Sequence, residues 1–231
     1  MSLPRFDTAQ LTLFRTAFND PDFIFELKVD GFRSLASIDD GVCELVSRRR
    51  NPYKSFRELA NSLGKLEVEN AIIDGEVACL DSEGRCIFNE LMFRRGYPIF
   101  YAFDILYLND RDLRQLPLIE RKQKLRAVIE KSELPDMLCG KYIEARGVDL
   151  FNEVVRRNLE GIIAKRRNGV YTTVSGWLKV KNPLYTQSER RYELFDSFNK
   201  QRKRELPAIP KKPPLRAVPL QRKKTAKHRA R

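Results

Sequence analysis

Residues 99–108 are the segment of this chain that most restricts its fold. They read IFYAFDILYL, in which apolar side chains occupy both faces of an extended strand and Asp104 is the single charged residue. A strand that is apolar on both faces is typical of the interior of a sheet, where both faces are covered. The segment therefore predicts a central strand.

The segments around it alternate between strand-like and helix-like patterns. Residues 22–28, 34–39 and 42–47 are strand-like and are separated by Asp30-Gly31 and Asp40-Gly41, so they predict an antiparallel meander. Further strands are predicted at 71–80, 161–166 and 177–181, and helices at 54–65, 88–95, 118–132 and 147–158. The chain is thus expected to be an α+β protein with mostly antiparallel strands in two sheets.

Composition excludes several classes of active site. The chain has 231 residues, of which 42% are hydrophobic, and its one histidine, His228, lies in a basic run near the end. A Ser-His-Asp triad, a Cys-His pair and a histidine-ligated zinc or iron site all need histidine inside the fold. The four cysteines contain no C-x-x-C pair, so they are expected to be reduced thiols.

No stretch approaches the roughly 20 apolar residues of a membrane span, and the N-terminus lacks the pattern of a signal peptide. We therefore expect no membrane association and a cytoplasmic location, associated with the nucleoid if the source is bacterial.

The excess positive charge is concentrated at the end of the chain. The net charge is +13, and residues 199–231 contain thirteen Lys and Arg, five Pro and a single acid, Glu205. A segment with few large apolar residues cannot offset its ordering entropy by burial, so 199–231 is predicted to be a disordered tail and 1–198 the folded domain. A flexible polycation favours nucleic acid, although a solubilising tail or a lipid-binding tail fits the same composition.

The segment ELKVDGFR (26–33) ends in a concentration of charge. Glu26 and Lys28 are two positions apart and share a strand face, and the Asp-Gly turn is expected to fold Arg33 back towards them. A lysine in this setting can act as a nucleophile once desolvation or cationic neighbours favour loss of its proton. A surface salt bridge beside a hairpin explains the same octapeptide, so both interpretations stay open at this point.

Similar features recur in order along the chain. They are SRRRN (47–51), IDGEV (73–77), FDIL (103–106), LEGIIAKR (159–166) and WLKVK (177–181). In the last of these, Lys179 and Lys181 point to the same face, where two ammonium groups repel each other unless an anion lies between them. Together the segments predict a nucleophilic amine among cations, isolated carboxylates and one aromatic ring.

This ordered set resembles the covalent nucleotidyltransferase superfamily, and within it the catalytic (adenylation) domain of ATP-dependent DNA ligases. The resemblance covers about residues 20–195 and is strongest to bacterial ligase domains, including the ligase module of multifunctional end-joining enzymes. It implies an α+β, ATP-grasp-like nucleotidyltransferase fold with mostly antiparallel sheets flanked by helices. It also implies ATP as the AMP donor, Mg²⁺ or Mn²⁺, and nicked or broken double-stranded DNA as partner, in DNA repair or end joining.

By this resemblance, Lys28 is the nucleophile that attacks the α-phosphate of ATP and forms lysyl-AMP. Lys179 and Lys181 hold the α-phosphate and neutralise the charge that develops on it. Glu160 helps to place a divalent metal, and Glu76 binds ribose or acts through the metal. Mg²⁺ suits two separated carboxylates because it keeps much of its water.

The remaining implied residues contact the nucleotide. Glu26 lies on the adenine side, and the backbone at Leu27 helps to recognise the base. Phe103 stacks on adenine through its flat apolar face. Arg33 and Arg48 contact ribose and phosphate.

The sequence departs from the family after WLKVK. Full ligases continue into an oligonucleotide-binding barrel, whereas about fifty residues follow Lys181 here, which is too few for that barrel beside the basic tail. A minimal form is therefore expected. It would be a stand-alone ligase, the catalytic half of a split enzyme whose partner supplies the barrel, or a DNA-binding module on the same fold. A protein that supplies the barrel, or an end-joining factor, is the expected protein partner. RNA ligase and capping guanylyltransferase are the rival enzyme classes.

Overall fold

The structure is a computed structural model that describes residues 3–174 and 176–187. The domain boundary predicted at residue 198 and the basic tail predicted at 199–231 lie outside these residues. The four cysteines lie inside them and are unpaired, as expected. No helix in the described ranges is long and apolar enough to cross a membrane.

Eleven strands and four helices make up the described residues. The strands are β1 (Leu11–Leu13), β2 (Asp20–Leu27), β3 (Phe32–Asp39), β4 (Val42–Ser47), β5 (Asn70–Cys79), β6 (Pro98–Leu108), β7 (Arg111–Asp112), β8 (Met137–Cys139), β9 (Tyr142–Ala145), β10 (Gly161–Arg166) and β11 (Trp177–Lys181). The helices are α1 (Arg57–Leu63), α2 (Phe88–Met92), α3 (Leu118–Ser132) and α4 (Gly147–Arg156). The mixed α+β class with mostly antiparallel sheets is confirmed.

The first sheet has five strands in the order β1-β11-β10-β2-β9. Its pairs are antiparallel except β1 with β11, which run parallel. Phe23 and Phe25 of β2 and Ile162 of β10 pack against Val154 of α4. This side of the sheet is therefore covered by α4.

The second sheet has six strands in the order β4-β3-β5-β6-β7, with β8 running parallel beside β6. Its main apolar core includes Phe100 and Ile105 of β6 with Leu125 and Ile129 of α3. A separate cluster on the opposite side contains Phe103 and Leu106 of the same strand. Because β6 is buried on both faces, the prediction that 99–108 is an interior strand is confirmed.

The two sheets face each other across a second apolar cluster. It contains Phe103 of β6 and Ile72 of β5 from one sheet, together with Ile163 of β10 and Trp177 of β11 from the other. This arrangement brings the ends of β2, β10 and β11 close to β3, β5 and β6, and the candidate site lies there.

The predicted meander of three consecutive strands is wrong. β3 pairs with β4 as expected, but β2 pairs with β9 and β10 in the other sheet. Asp30-Gly31 is therefore a crossing between sheets and not a hairpin turn. A side chain at Gly31 would place its Cβ 2.2 Å from the carbonyl oxygen of Val77, and buried Asp30 accepts a hydrogen bond from the Tyr185 hydroxyl at 2.9 Å. Close packing against β5 and this bond hold the crossing in place.

The helix predicted at 54–65 begins as one 3-10 turn, Lys54–Phe56, and continues as α1. It ends at Gly64 as predicted, but Gly64 has a right-handed backbone with φ −60°. Glycine is needed here because a Cβ would lie 2.3 Å from the carbonyl oxygen of Gly41. Close contact with the β3–β4 turn, and not a left-handed cap, explains this glycine.

Candidate active site

Lys28 lies one residue beyond the end of β2, where the antiparallel register brings it beside the start of β10. Leu27 is opposite Ile162, and the Lys28 backbone N–H donates to the carbonyl of Gly161 at 2.9 Å. The Lys28 ammonium donates to Oε2 of Glu160 at 2.5 Å. The side chain of Lys28 is 18% exposed and that of Glu160 9%, so this pair lies inside a cleft and is not a surface salt bridge beside a hairpin.

A polar cavity of about 850 Å³ opens beside this pair. Seven residues that the sequence singled out line it: Lys28, Arg33, Arg48, Glu76, Glu160, Lys179 and Lys181. They come from both sheets and from the segments between strands. The tertiary fold therefore brings together residues that are distant in sequence. The cavity is cationic on several sides and contains two carboxylates.

Burial and neighbouring charges change the acidity of groups in this cavity. Burial raises the pKa of Glu76 to about 7; Glu160 and Asp74 act in the same direction, against the opposing effect of Lys28 and Arg33. Charged groups therefore crowd around Glu76.

The Lys179 ammonium has a pKa below its ordinary value, first because of burial and then because of other cations, which include Lys181, Lys28 and Arg48. Four positive groups are thus close enough to repel one another. Such an arrangement suits an anion with several negative charges.

A second, narrower cavity of about 40 Å³ adjoins the first. Its lining includes Glu26, Leu27 and Phe103, the residues implied for base recognition, together with Ile163 and Trp177. Lys28 and Arg33 border both cavities. Lys28 therefore lines both the cavity that holds the residues implied for the base and the cavity that holds most of the residues implied for the phosphates.

Two lysines that sequence reasoning did not assign hold Glu26. Lys165 Nζ donates to Oε2 of Glu26 at 2.9 Å, and Lys122 Nζ lies 2.6 Å from Oε1. Burial alone would raise the pKa of Glu26, but the two ammonium charges outweigh it and lower that pKa. Burial lowers the pKa of Lys165 to about 8. Lys165 follows a run of buried apolar residues in β10, and this position was a sequence signal for a role. Lys122 is one of several charged residues of α3, and its position carried no such signal.

Arg33 has a fixed partner as well. Its Nε and one terminal nitrogen donate to the two carboxylate oxygens of Asp74, each at 2.6 Å, and its guanidinium carbon lies 4.6 Å from the centre of the Phe103 ring. The Tyr171 hydroxyl donates to the same carboxylate at 2.5 Å. Sequence reasoning placed Asp74 on the strand of Glu76 but missed Tyr171.

A divalent cation fits the polar cavity. Among the described residues there is no cluster of three or more His, Cys, Asp or Glu that could hold a metal by itself. Glu76 and Glu160 nevertheless line one cavity with the nucleophile candidate Lys28. Two carboxylates, water and substrate phosphates are the usual ligands of Mg²⁺.

The sequence model of the ATP dependent DNA ligase domain family matches residues 7–181. The multifunctional non-homologous end joining protein LigD of Pseudomonas aeruginosa is 31% identical over 171 residues, which are 71% of this chain and 20% of that protein. The SPbeta prophage-derived DNA ligase-like protein LigB of Bacillus subtilis is 33% identical over 181 residues, which are 74% of this chain and 65% of that protein.

Among solved structures, a mycobacterial DNA ligase D complexed with ATP and MES superposes with a TM-score of 0.66 at 27% identity. The match covers 76% of this chain and 60% of that one. The chain therefore spans less than two thirds of the length of these relatives.

Proposed function

The chain belongs to the family of ATP-dependent DNA ligase domains, and we propose that it transfers AMP from ATP to Lys28 as the first step of sealing DNA. The observation that carries the proposal is the position of the Lys28 ammonium. Lys28 lines both the narrow cavity that Phe103 borders and the polar cavity whose walls hold Arg48, Lys179 and Lys181. A triphosphate that spans both cavities would present its α-phosphate to this amine.

The chemical step follows from the neighbours of Lys28. Glu160 Oε2, its hydrogen-bond partner, accepts a proton from the ammonium, and the free amine attacks the α-phosphorus. The nitrogen–phosphorus bond forms as the bond from the α-phosphorus to the oxygen bridging to the β-phosphate breaks. Pyrophosphate leaves and AMP stays on Lys28.

The cations of the cavity stabilise the transition state of this step. Lys179 and Lys181 neutralise the charge that develops on the α-phosphate, and fixed charges in a partly buried site are effective because they need little reorganisation. Arg33 and Arg48 contact ribose and phosphates. Glu76 and Glu160 would hold Mg²⁺, which supplies further charge neutralisation when bound.

The narrow cavity is assigned to adenine. Phe103 stacks on the base, while Glu26 and the Leu27 backbone contact its polar edge. A volume of about 40 Å³ accommodates only a few water molecules, so the side chains around Phe103 must separate when a purine enters.

The DNA steps complete the proposed activity. The 5′-phosphate at a nick or break attacks the phosphorus of lysyl-AMP and takes up the AMP, and the 3′-hydroxyl then attacks this DNA-adenylate and displaces AMP. The substrate is double-stranded DNA in repair or end joining, as the names of the relatives suggest for them. A protein that supplies an oligonucleotide-binding barrel or acts in end joining is a further proposed partner.

One experiment separates the alternatives. The protein is incubated with α-labelled ATP or GTP and Mg²⁺ or Mn²⁺, and acid-stable labelled protein is measured, followed by addition of nicked duplex DNA or nicked RNA. An ATP adduct that is discharged by sealing nicked DNA supports the proposal. A GTP adduct indicates a capping enzyme, and sealing of RNA alone indicates an RNA ligase. With no adduct, a non-catalytic DNA-binding module or half of a split enzyme is the better interpretation.

A further inference from the structure

The hydroxyl of Tyr171 joins three segments of the chain that are distant in sequence. Tyr171 lies between β10 and β11 and is 2% exposed. Its hydroxyl donates to Oδ2 of Asp74 on β5 at 2.5 Å and accepts the backbone N–H of Ala9 at 2.9 Å. Both bonds are buried, where replacing a lost partner with water is costly.

On the β5 side, the bond to Asp74 leads directly to Arg33. Asp74 is fully buried, and the oxygen that Tyr171 contacts, Oδ2, also accepts a terminal nitrogen of Arg33. The carboxylate can rotate only if it breaks one of these bonds. Tyr171 thus helps to hold the orientation of a guanidinium that lines both cavities and lies 4.6 Å from the Phe103 ring centre.

On the N-terminal side, the bond to Ala9 holds one wall of the polar cavity. Residues 7–11 line that cavity together with Lys28 and Lys179. The Gln10 backbone N–H donates to the carbonyl of Thr173 at 2.9 Å, two residues after Tyr171. The same short loop therefore fixes this wall twice, through its backbone and through the tyrosine hydroxyl.

The Tyr171 ring is buried and packs against a residue that lines the narrow cavity. It meets Trp177 edge to face, with ring centres 5.6 Å apart, and Trp177 lines the narrow cavity. Burial, followed by the charge of Asp74, raises the pKa of the Tyr171 hydroxyl well above its ordinary value. The hydroxyl therefore keeps its proton and acts as a donor to Asp74 at any pH where the protein works.

We propose that Tyr171 is a positioning residue for nucleotide binding and lysine adenylylation, which acts by holding the Asp74–Arg33 pair, while its bond to Ala9 fixes the hydroxyl that makes this contact. The proposal rests on the proposed function of the same site. It assigns to Tyr171 no contact with ATP; the effect reaches the nucleotide through Arg33. Small displacements of a group that orients a substrate are known to reduce rates strongly.

The test compares Tyr171→Phe with Tyr107→Phe. The first keeps the ring and its contact with Trp177 and removes the hydroxyl. Tyr107 donates to Asp110 at 3.4 Å on an exposed surface, so Tyr107→Phe removes a Tyr–Asp bond outside the site. ATP affinity is measured by titrating the fluorescence of Trp177, the one tryptophan of the chain, and adenylylation by single-turnover labelling.

We expect Tyr171→Phe to weaken ATP binding and to lower the rate of adenylylation, each by about tenfold or more, with Tyr107→Phe unchanged. The decisive measurement repeats Tyr171→Phe in an Arg33→Ala background. If Tyr171 acts through Arg33, its effect on ATP affinity largely disappears there, whereas a merely structural effect would persist in full.

The outcomes separate this inference from the proposed function. If the wild-type protein binds ATP but forms no adduct, the proposed activity is contradicted. The role of Tyr171 can then still be tested by ATP affinity. Normal ATP affinity in Tyr171→Phe, or an equal loss in both backgrounds, overturns the positioning role. Circular dichroism shows whether Tyr171→Phe folds, and if it does not, Asp74→Asn replaces it as the test. Asp74→Asn weakens the link between Tyr171 and Arg33 and is expected to lower ATP affinity similarly. Unchanged ATP affinity in Asp74→Asn also overturns the positioning role.

Discussion

The Lys28 ammonium lies 2.5 Å from Oε2 of Glu160, although the two residues are 132 positions apart in sequence. Pairing of β2 with β10 creates this contact, because the register places Lys28 beside Gly161, the residue that directly follows Glu160. The proposed nucleophile thus meets its proton acceptor through the backbone pairing of two buried strands.

Lys28→Arg is expected to abolish the labelled ATP adduct while the protein stays folded. Arginine keeps the positive charge, but its guanidinium effectively does not deprotonate and cannot attack phosphorus. Adduct formation and the circular dichroism spectrum are measured together. Lys54→Arg, at an exposed position outside the cavities, is the matched control and should label normally. Labelling of Lys28→Arg at the wild-type level would show that another residue carries the AMP.

Lys179→Ala and Lys181→Ala are each expected to reduce the adenylylation rate by about 100-fold or more, with a much smaller loss of ATP affinity. Both cations act mainly on charge that develops in the transition state, so they should affect turnover more than binding. The measurement is single-turnover labelling over a range of ATP concentrations. A raised Michaelis constant at unchanged turnover would contradict this role.

Removal of divalent cations with a chelator should stop adduct formation, and added Mg²⁺ should restore it. Glu160→Gln and Glu76→Gln are each expected to raise the Mg²⁺ concentration needed for half-maximal labelling several-fold, because an amide is a weaker ligand than a carboxylate. Glu160→Gln should also lower the labelling rate at saturating Mg²⁺, because it removes the proposed proton acceptor of Lys28. Glu153→Gln, at an exposed position of α4 where Glu153 pairs with Arg156, is the control. An unchanged Mg²⁺ requirement in both cavity variants would place the cation elsewhere.

Lys165 should make stability depend on pH. Its pKa is lowered from 10.5 to about 8 in the folded protein, so between these values the unfolded chain binds a proton that the folded chain does not. Unfolding then takes up a proton, and the free energy of unfolding should rise with pH from about 8 to about 10.5. Below pH 8 this lysine contributes no slope.

The variant Lys165→Met has no amine and should lack this rise. Urea unfolding at pH 8 and pH 9.5 measures it, and the wild type should gain about 2 kcal/mol relative to the variant over that interval. Lys124→Met, at an exposed position of α3, should run parallel to the wild type. Parallel curves for Lys165→Met would mean that Lys165 stays charged in the folded protein throughout this range.

Truncation after Phe198 removes a segment of net charge +12. Affinity for nicked DNA should fall several-fold or more at low salt, and each lost phosphate contact should make the log–log salt slope shallower by roughly 0.9. Lysyl-AMP formation needs no DNA and should change little. Binding is measured over a salt series with labelling in parallel. Equal salt slopes for the full-length and truncated proteins would show that residues 199–231 do not contribute to DNA binding. Loss of lysyl-AMP formation in the truncated protein would show that these residues are needed by the catalytic domain.

Much of the local structure could be predicted because it depends on neighbouring residues. The bounds of β4, α3, β10 and β11 agree with the predictions, since alternation and helical spacing are read within one segment. Motif order and the resemblance also named seven of the side chains that line the polar cavity. These are properties of short stretches and of their order along the chain.

Which strands share a sheet was decided only in three dimensions. Residues 22–28 show the same alternating pattern whether their strand pairs with β3 or with β10. The sequence therefore predicted pairing with the next strand in the chain, and this prediction was wrong. The contact of Lys165 with Glu26 arises from this change of partner. The contacts of Lys122 with Glu26 and of Tyr171 with Asp74 arise from packing between other segments that are distant in sequence. The sequence alone determined which residues have the chemistry for the site. The pairing of distant strands, driven by burial of both sheets, decided which of those residues meet.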